Sequence, residues 1–525
     1  MNKSVSVSSN RDIAQSAGVI GAATLVSRVL GFVRDIVIAR LFGVYVYAQA
    51  FVVAFKLPNL FRDLIGEGAA NAAIVPVMSE YLARGKKEEF WHLANVLMNL
   101  LLVVLSLIAL AGIFLSPVLV RLIAPGFSGD TLAATVRLTR IIFPYILLIG
   151  LAAYSTGILN SLRHFSVPAF APCLLNISII VCALIWGEGI RGLATGVLAG
   201  GVLQLAVQVP VLYAKGFRFR FALGFTHPAI AGIGRLLTPR LFSSAIYQLN
   251  NFVDSIFGSL AFIVGEGAVA ALYFSYRLIQ FPIGIFGASL SQAMLPELSQ
   301  QALEPAGRSS FKSTFLFGLR SVFFVMVPSS VGLMVLSRAI IENLFGGGRF
   351  NAYSVDITAG CLFYYGIGLA AYAGIKVLHT GFFALKDTAT PAYISGLGLV
   401  LNVFLNAIFM YRMKASGLAL ATSVSGMACF SFLLYLIDKK AGGLGLAALA
   451  KFFLKILLAS SLMAAVCFYA LRIRYCTGCP VTERILRLVV PIALGAAAYL
   501  GACVMLRIEQ ARALWRLLAR RKNAV

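Results

Sequence analysis

Ser27-Arg28-Val29-Leu30-Gly31-Phe32-Val33-Arg34-Asp35 lies inside an apolar run that extends from about residue 13 to residue 40. As a helix, at about 1.5 Å per residue, that run is long enough to cross the roughly 30 Å of a bilayer's hydrocarbon. An ionised side chain at its middle costs about 2.5 to 3.5 kcal/mol if it faces lipid. The cluster is therefore expected to face water and ligand inside a bundle of helices. Arg28 and Asp35 are two helical turns apart and share a face, while Arg34 lies about 120 degrees round from Arg28.

The rest of the chain supplies such a bundle. Of its 525 residues 60% are hydrophobic and only 12% charged, and the mean hydropathy is +0.91. Ordinary globular chains are about 45 to 50% apolar and about 25% charged, so a soluble enzyme, a disordered chain and a disulfide scaffold are excluded. Apolar runs recur at about 13–40, 47–82, 90–120, 138–162, 168–187, 192–214, 236–264, 268–300, 312–342, 357–385, 391–411, 416–437, 446–471 and 485–507. This predicts an all-α polytopic membrane protein of about 14 transmembrane helices, with no room for a large soluble domain.

The formal charge of +25 reads as topology rather than nucleic-acid binding, because basic residues collect in cytoplasmic loops. One set of loops carries Arg84, Lys86, Lys87, Arg163, Lys215, Arg218, Arg220, Arg308, Lys312, Lys386, Lys439 and Lys440, and the tail adds Arg512, Arg516, Arg520, Arg521 and Lys522. The opposite loops are poorer, apart from Arg472, Arg474, Arg484 and Arg487. Both termini are thus expected to be cytoplasmic, with no removable signal peptide. Cys476 and Cys479 form a C-x-x-C in a polar loop, read as a loop disulfide or as nothing.

An internal repeat organises the helices. Phe55-Lys56-Leu57 with Pro76 to Glu80 returns as Tyr276-Arg277-Leu278 with Pro296 to Gln300. Thr156-Gly157, Leu162-Arg163 and Pro168-Ala169-Phe170 return as Thr380-Gly381, Leu385-Lys386 and Pro391-Ala392-Tyr393, and Gly192-Leu193-Ala194 returns as Gly417-Leu418-Ala419. The copies lie about 220 to 225 residues apart, which predicts two parallel six-helix repeats around a central cavity, residues 1–222 and 223–440, followed by two additional helices and a basic tail over 441–525.

The second run carries further charge at Lys56, Arg62, Asp63 and Glu67, with Pro58, Gly66 and Gly68 to let it bend. Arg277 places a cation at the repeat position of Lys56. For each residue alone, an ion pair that locks helices together is as good a reading as ligand binding. As a set, the excess of arginine suits a multiply anionic, lipid-linked ligand whose phosphates accept bidentate hydrogen bonds.

With these residues in view, the chain resembles the MurJ (MviN) family of lipid II flippases. The string SRVLGFVRD, the segment AFKLPNLFRDLIGEGA, the R-L-x-x-F-P-x-G-x-x-G of Arg277 to Gly287 and the fourteen-helix layout carry the resemblance. It implies a multidrug/oligosaccharidyl-lipid/polysaccharide exporter fold in the bacterial cytoplasmic membrane. It also implies alternating-access export of undecaprenyl-diphosphate-linked disaccharide pentapeptide, driven by an ion gradient or the membrane potential. The substrate-binding residues it implies are Arg28, Arg34, Arg62 and Arg277, with Asp35, Lys56 and Glu67. A sodium site over Asp254, Asn402, Asn406 and Thr422 is implied as the one cofactor, although interhelical hydrogen bonding accounts equally well for the two asparagines. Gln49 stands where many members carry an aspartate, so no role passes to it.

Three other readings compete. A drug/cation antiporter would have its ligand repelled by the arginines. A flippase for another polyprenyl-diphosphate oligosaccharide would need the same diphosphate clamp. A membrane-embedded enzyme should show convergent acid/base or ligand residues, yet the four histidines are scattered and neither H-E-x-x-H nor G-x-x-x-x-G-K-[ST] occurs. The loop Gly346-Gly347-Gly348-Arg349 is read as a flexible connector. No protein partner is legible.

Overall fold

The structure is a computed structural model, and it describes residues 2–62, 74–187, 189–221, 252–304, 307–473 and 481–512. Those residues form helices joined by short turns, with no β-strand among them. Nine helices among the described residues are long and apolar enough to cross a membrane, or ten when Gly129–Ile142 and Tyr145–Ser161, bent by 41°, count as one span. One of the nine, Ala389–Ala441, contains a break at Lys414 (φ 54°, ψ −137°), so the expected runs at 391–411 and 416–437 are joined through a single non-helical residue. The whole is an all-α polytopic membrane protein.

The chain divides into two compact units, the first comprising residues 1–260 with 348–350, the second 261–347 with 351–525. In the first, α1 (Asn2–Phe42) packs on α7 (Ser166–Trp186), α2 (Val46–Arg62) packs on α5 (Gly129–Ile142), and α7 packs on α8 (Ile190–Ala206). The last contact is close because α8 presents Gly192, Gly196 and Gly200 at every fourth position. A Cβ on Gly196 would lie 2.7 Å from the Ile179 backbone, and one on Gly200 would lie 2.8 Å from the Leu175 side chain. With lipid as solvent there is little hydrophobic drive between helices, so such small-residue seams supply the contact by van der Waals packing. Further elements are α3 (Val75–Ala83), α4 (Lys87–Ile123), α6 (Tyr145–Ser161) and α9 (Val209–Ala214). Met78, Phe90, Leu97, Tyr154, Leu159 and Leu212 form their common core.

The second unit contains α10 (Ala268–Pro282), α11 (Ser289–Leu303), α12 (Arg308–Val335), α13 (Ser337–Phe345), α14 (Ala352–Ala384), α15 (Ala389–Ala441), α16 (Leu446–Ile473) and α17 (Val481–Met505). Its central helix is α14, which packs against α10, α11, α12, α13 and α15. Gly366, Gly374 and Gly381 on α14 admit Met334, Phe430 and Phe315 to within contact of its backbone. A π-helical turn at Ile283–Ala288 joins α10 to α11. Pro282 at its start lacks the N–H that a regular α-helix would use.

Candidate functional site

In the first unit the charged cluster is built on α1 and α2. Arg34 and Asp35 are buried, with side chains 5% and 0% exposed. Arg34 Nε and Nη2 donate to Asp35 Oδ1 at 3.1 and 2.8 Å, and Nη1 donates to Asn176 Oδ1 at 3.1 Å. Asn176 in turn donates from Nδ2 to the Ser27 carbonyl at 3.2 Å, and the Phe55 ring lies 6.0 Å from the guanidinium carbon. The local sequence dictates this arrangement. Consecutive helical residues point about 100 degrees apart, so only a side chain as long as arginine can fold back onto its neighbour. Asn176 is a functional candidate that the sequence reading passes over. Its signal was a lone amide in the apolar run Leu174-Leu175-Asn176-Ile177.

Arg28, on the same helix, is exposed. Lys56 is partly buried on α2, and its Nζ donates to Ser255 Oγ in the helical segment 252–258 of the same unit. Ser259, at the end of that segment, accepts from Gly126 N at 3.0 Å. Arg62 closes α2, and Glu67 lies outside the described residues. The structure thus joins Arg34 to Asp35 and Lys56 to the segment holding Asp254.

In the second unit Arg277 is an exposed residue of α10. Its helix is anchored by Ser275, whose Oγ donates to the Thr358 carbonyl of α14 at 2.8 Å, and in the π-helical turn that follows, Gly287 approaches Ala373 closely. Asn402, Asn406 and Thr422 meet within α15. Asn406 Nδ2 donates to Asn402 Oδ1 at 3.0 Å, and Asn402 Nδ2 donates to Thr422 Oγ1 at 3.1 Å. The bonding tests the fit to a cation: two of the oxygens already accept, while Asn406 Oδ1 is buried without a partner and is the donor atom a hard cation would take. Among the described residues no group of three or more His, Cys, Asp or Glu is placed to hold a metal.

Membrane-length helices in two units, with ionised residues on apolar helices, define a polytopic membrane protein. A multidrug transporter of the MATE family and MOP superfamily shares the fold at TM-score 0.67 and 15% identity, over 79% of this chain and 95% of that one. The sequence profile described as "Lipid II flippase MurJ" matches residues 38–486, and the chain belongs to that family. A probable lipid II flippase MurJ of Vibrio cholerae is 35% identical over 432 residues, 80% of this chain and 82% of the relative. The lipid II flippase MurJ of Burkholderia cenocepacia is 33% identical over 433 residues, 81% and 83%. The solved structure of a lipid II flippase MurJ in an inward closed conformation superposes at TM-score 0.77 and 25% identity, over 93% of this chain and 98% of that one.

Proposed function

We propose that this chain carries lipid II, an undecaprenyl-diphosphate-linked peptidoglycan precursor, from the inner to the outer leaflet of the bacterial cytoplasmic membrane. The single observation that carries the reading is the family match over residues 38–486. The charge cluster supports it, since each unit presents an exposed arginine on a membrane helix, Arg28 on α1 and Arg277 on α10. Guanidinium groups offer paired donors to phosphate oxygens, and low dielectric strengthens those bonds. Arg34, Arg62, Lys56, Asp35 and Glu67 belong to the same reading.

Transport proceeds by alternating access between the lobes 1–222 and 223–440, with both termini cytoplasmic. The ion gradient or membrane potential supplies the energy. Asn402, Asn406 and Thr422 of the second unit are the residues that would hold a sodium ion, whose gradient would then be the driving force. Complementation of a strain depleted of its lipid II flippase tests the function. Growth is expected with the intact chain and lost with Arg28→Ala or Arg277→Ala at normal membrane levels. Full growth of both alanine strains would remove the arginines from the mechanism, and failure of the intact chain would favour another polyprenyl-diphosphate cargo.

A further inference from the structure

The chain leaves α9 through a turn at Gly216 (φ 107°) and continues as Phe217-Arg218-Phe219-Arg220-Phe221. This segment runs alongside α4, held by two buried asparagines one turn apart. Asn95 Nδ2 donates to the Arg218 carbonyl at 3.0 Å and Asn95 Oδ1 accepts from Arg220 N at 2.7 Å, while Asn99 Nδ2 donates to the Arg220 carbonyl at 2.8 Å. The registers match. Four residues of helix rise about 6 Å, and two residues of extended chain advance about 6.6 Å. The pinned strap therefore keeps its side chains in fixed positions.

Those side chains alternate in chemistry. Phe217 is buried against Trp91, with ring centroids 5.9 Å apart. Phe219 and Phe221 are 49% and 73% exposed, and Lys215, Arg218 and Arg220 are exposed beside them. Arg218 Nη1 donates to the Tyr213 and Phe217 carbonyls, both at 2.9 Å, and its guanidinium lies 5.5 Å from the Tyr213 ring. These contacts orient the fork through one of its nitrogens.

The depth of the strap follows from α4. Its large exposed apolar residues begin at Leu102 and end at Leu122, a rise of about 30 Å, which is the thickness of the hydrocarbon core. Asn95 and Asn99 precede Leu102 by seven and three residues, so the strap lies about 5 to 10 Å outside that core, at the level of the lipid headgroups. Trp91 and Tyr213 complete an aromatic belt of the kind found at membrane–water interfaces.

We propose that Phe217–Phe221, with Lys215, is a binding strip for the phosphate headgroup of an anionic phospholipid. Arg218 and Arg220 take the phosphate oxygens, and Phe219 and Phe221 seat at the acyl boundary. Three cations within six residues favour a net negative headgroup over a zwitterionic one. In water the two phenylalanines would stay uncovered, and the asparagine ladder prevents them from folding away. The inference is independent of the cargo.

The test uses the full chain with Trp186→Phe and Trp515→Phe, which leaves Trp91 as the one tryptophan, in detergent micelles titrated with brominated lipid. Brominated phosphatidylglycerol is expected to quench Trp91 at a roughly 25-fold lower mole fraction than brominated phosphatidylcholine. The preference should fall by about fivefold for each arginine removed, vanishing in Arg218→Gln/Arg220→Gln and persisting in Arg218→Lys/Arg220→Lys, both with an unchanged thermal midpoint. Equal quenching by the two lipids would overturn the proposal, as would a preference that survives in the glutamine variant. Displacement of the brominated phosphatidylglycerol by undecaprenyl diphosphate at a tenth of its mole fraction would also overturn it, making the strip an entry site for cargo.

Discussion

Arg34 commits its three guanidinium nitrogens to Asp35 and Asn176, and this determines what its neighbours are worth. Removing the charge of a buried partner leaves the remaining ion uncompensated, at a cost of about 3 to 5 kcal/mol. Removing one hydrogen bond to a charged group costs about 1.5 to 3 kcal/mol. Asp35→Asn is therefore expected to lower the stability of the purified chain more than Asn176→Ala, and both should lower its thermal midpoint in detergent. An unchanged midpoint for Asp35→Asn would mean that water reaches the pair. The two residues differ in how far the sequence reveals them. A carboxylate in an apolar run stands out because its burial is costly, whereas a lone amide in a helix is cheap enough to pass as filler. Asn176 is found only when the packing of α7 on α1 is known, since 142 residues separate it from Arg34.

At the scale of elements, turns carry what hydropathy leaves out. Arg163 and Lys386 both adopt left-handed φ, 56° and 58°, at the ends of α6 and α14. The closing bonds match as well: His164 N donates to Leu159 O and Asp387 N donates to Phe382 O, each at 2.9 Å. The repeat seen as Leu162-Arg163 and Leu385-Lys386 is thus a repeat of helix-ending geometry. Within the loop Gly346 to Arg349, read as a flexible connector, Gly348 and Arg349 dock on the end of α1, where Arg349 N donates to Arg40 O at 2.9 Å. A Cβ on Gly348 (φ 60°) would come within 2.3 Å of that carbonyl oxygen, while Gly347 (φ 112°) has open space around it. Gly347→Ala should cost only backbone strain, about 1 to 3 kcal/mol, and Gly348→Ala more, because the backbone must also move; equal thermal midpoints for the two variants would contradict the docking. In the turn after α14, Asp387 accepts from Lys440 Nζ at 2.6 Å, from Thr390 Oγ1 at 2.7 Å and from Thr390 N at 3.0 Å. The Lys440 and Thr390 bonds hold its carboxyl down to about 2. A depressed carboxyl stabilises the fold above its ordinary value near 4 and loses that contribution as pH falls through the interval down to about 2. Asp387→Asn should accordingly lower the thermal midpoint at pH 7 and match the parent at pH 2, and a constant difference across that range would exclude the linkage.

Over the whole molecule, the apolar runs predict an all-helical bundle because lipid leaves the backbone no other way to satisfy its hydrogen bonds. Side-chain docking such as that of the Phe217–Phe221 strap on α4 depends on contacts between distant residues and is not legible in periodicity. The direction of the repeat is what topology must decide. If the two copies are parallel, the turns after α6 and α14 lie on one face of the membrane; if inverted, they lie on opposite faces. By the positive-inside bias we propose that both turns face the cytoplasm and that Arg191, one helix beyond Arg163, faces the outside. Ser166→Cys, Thr388→Cys and Arg191→Cys, each exposed, can be probed singly with an impermeant maleimide after Cys476 and Cys479 are changed to serine. The other six cysteines are buried or partly buried and should react slowly. Position 191 is expected to label in intact cells, and positions 166 and 388 only once the membrane is permeabilised. Labelling of 388 with none at 191 would invert the orientation, and opposite behaviour of 166 and 388 would make the repeat antiparallel, which the shared helix-ending geometry alone does not forbid.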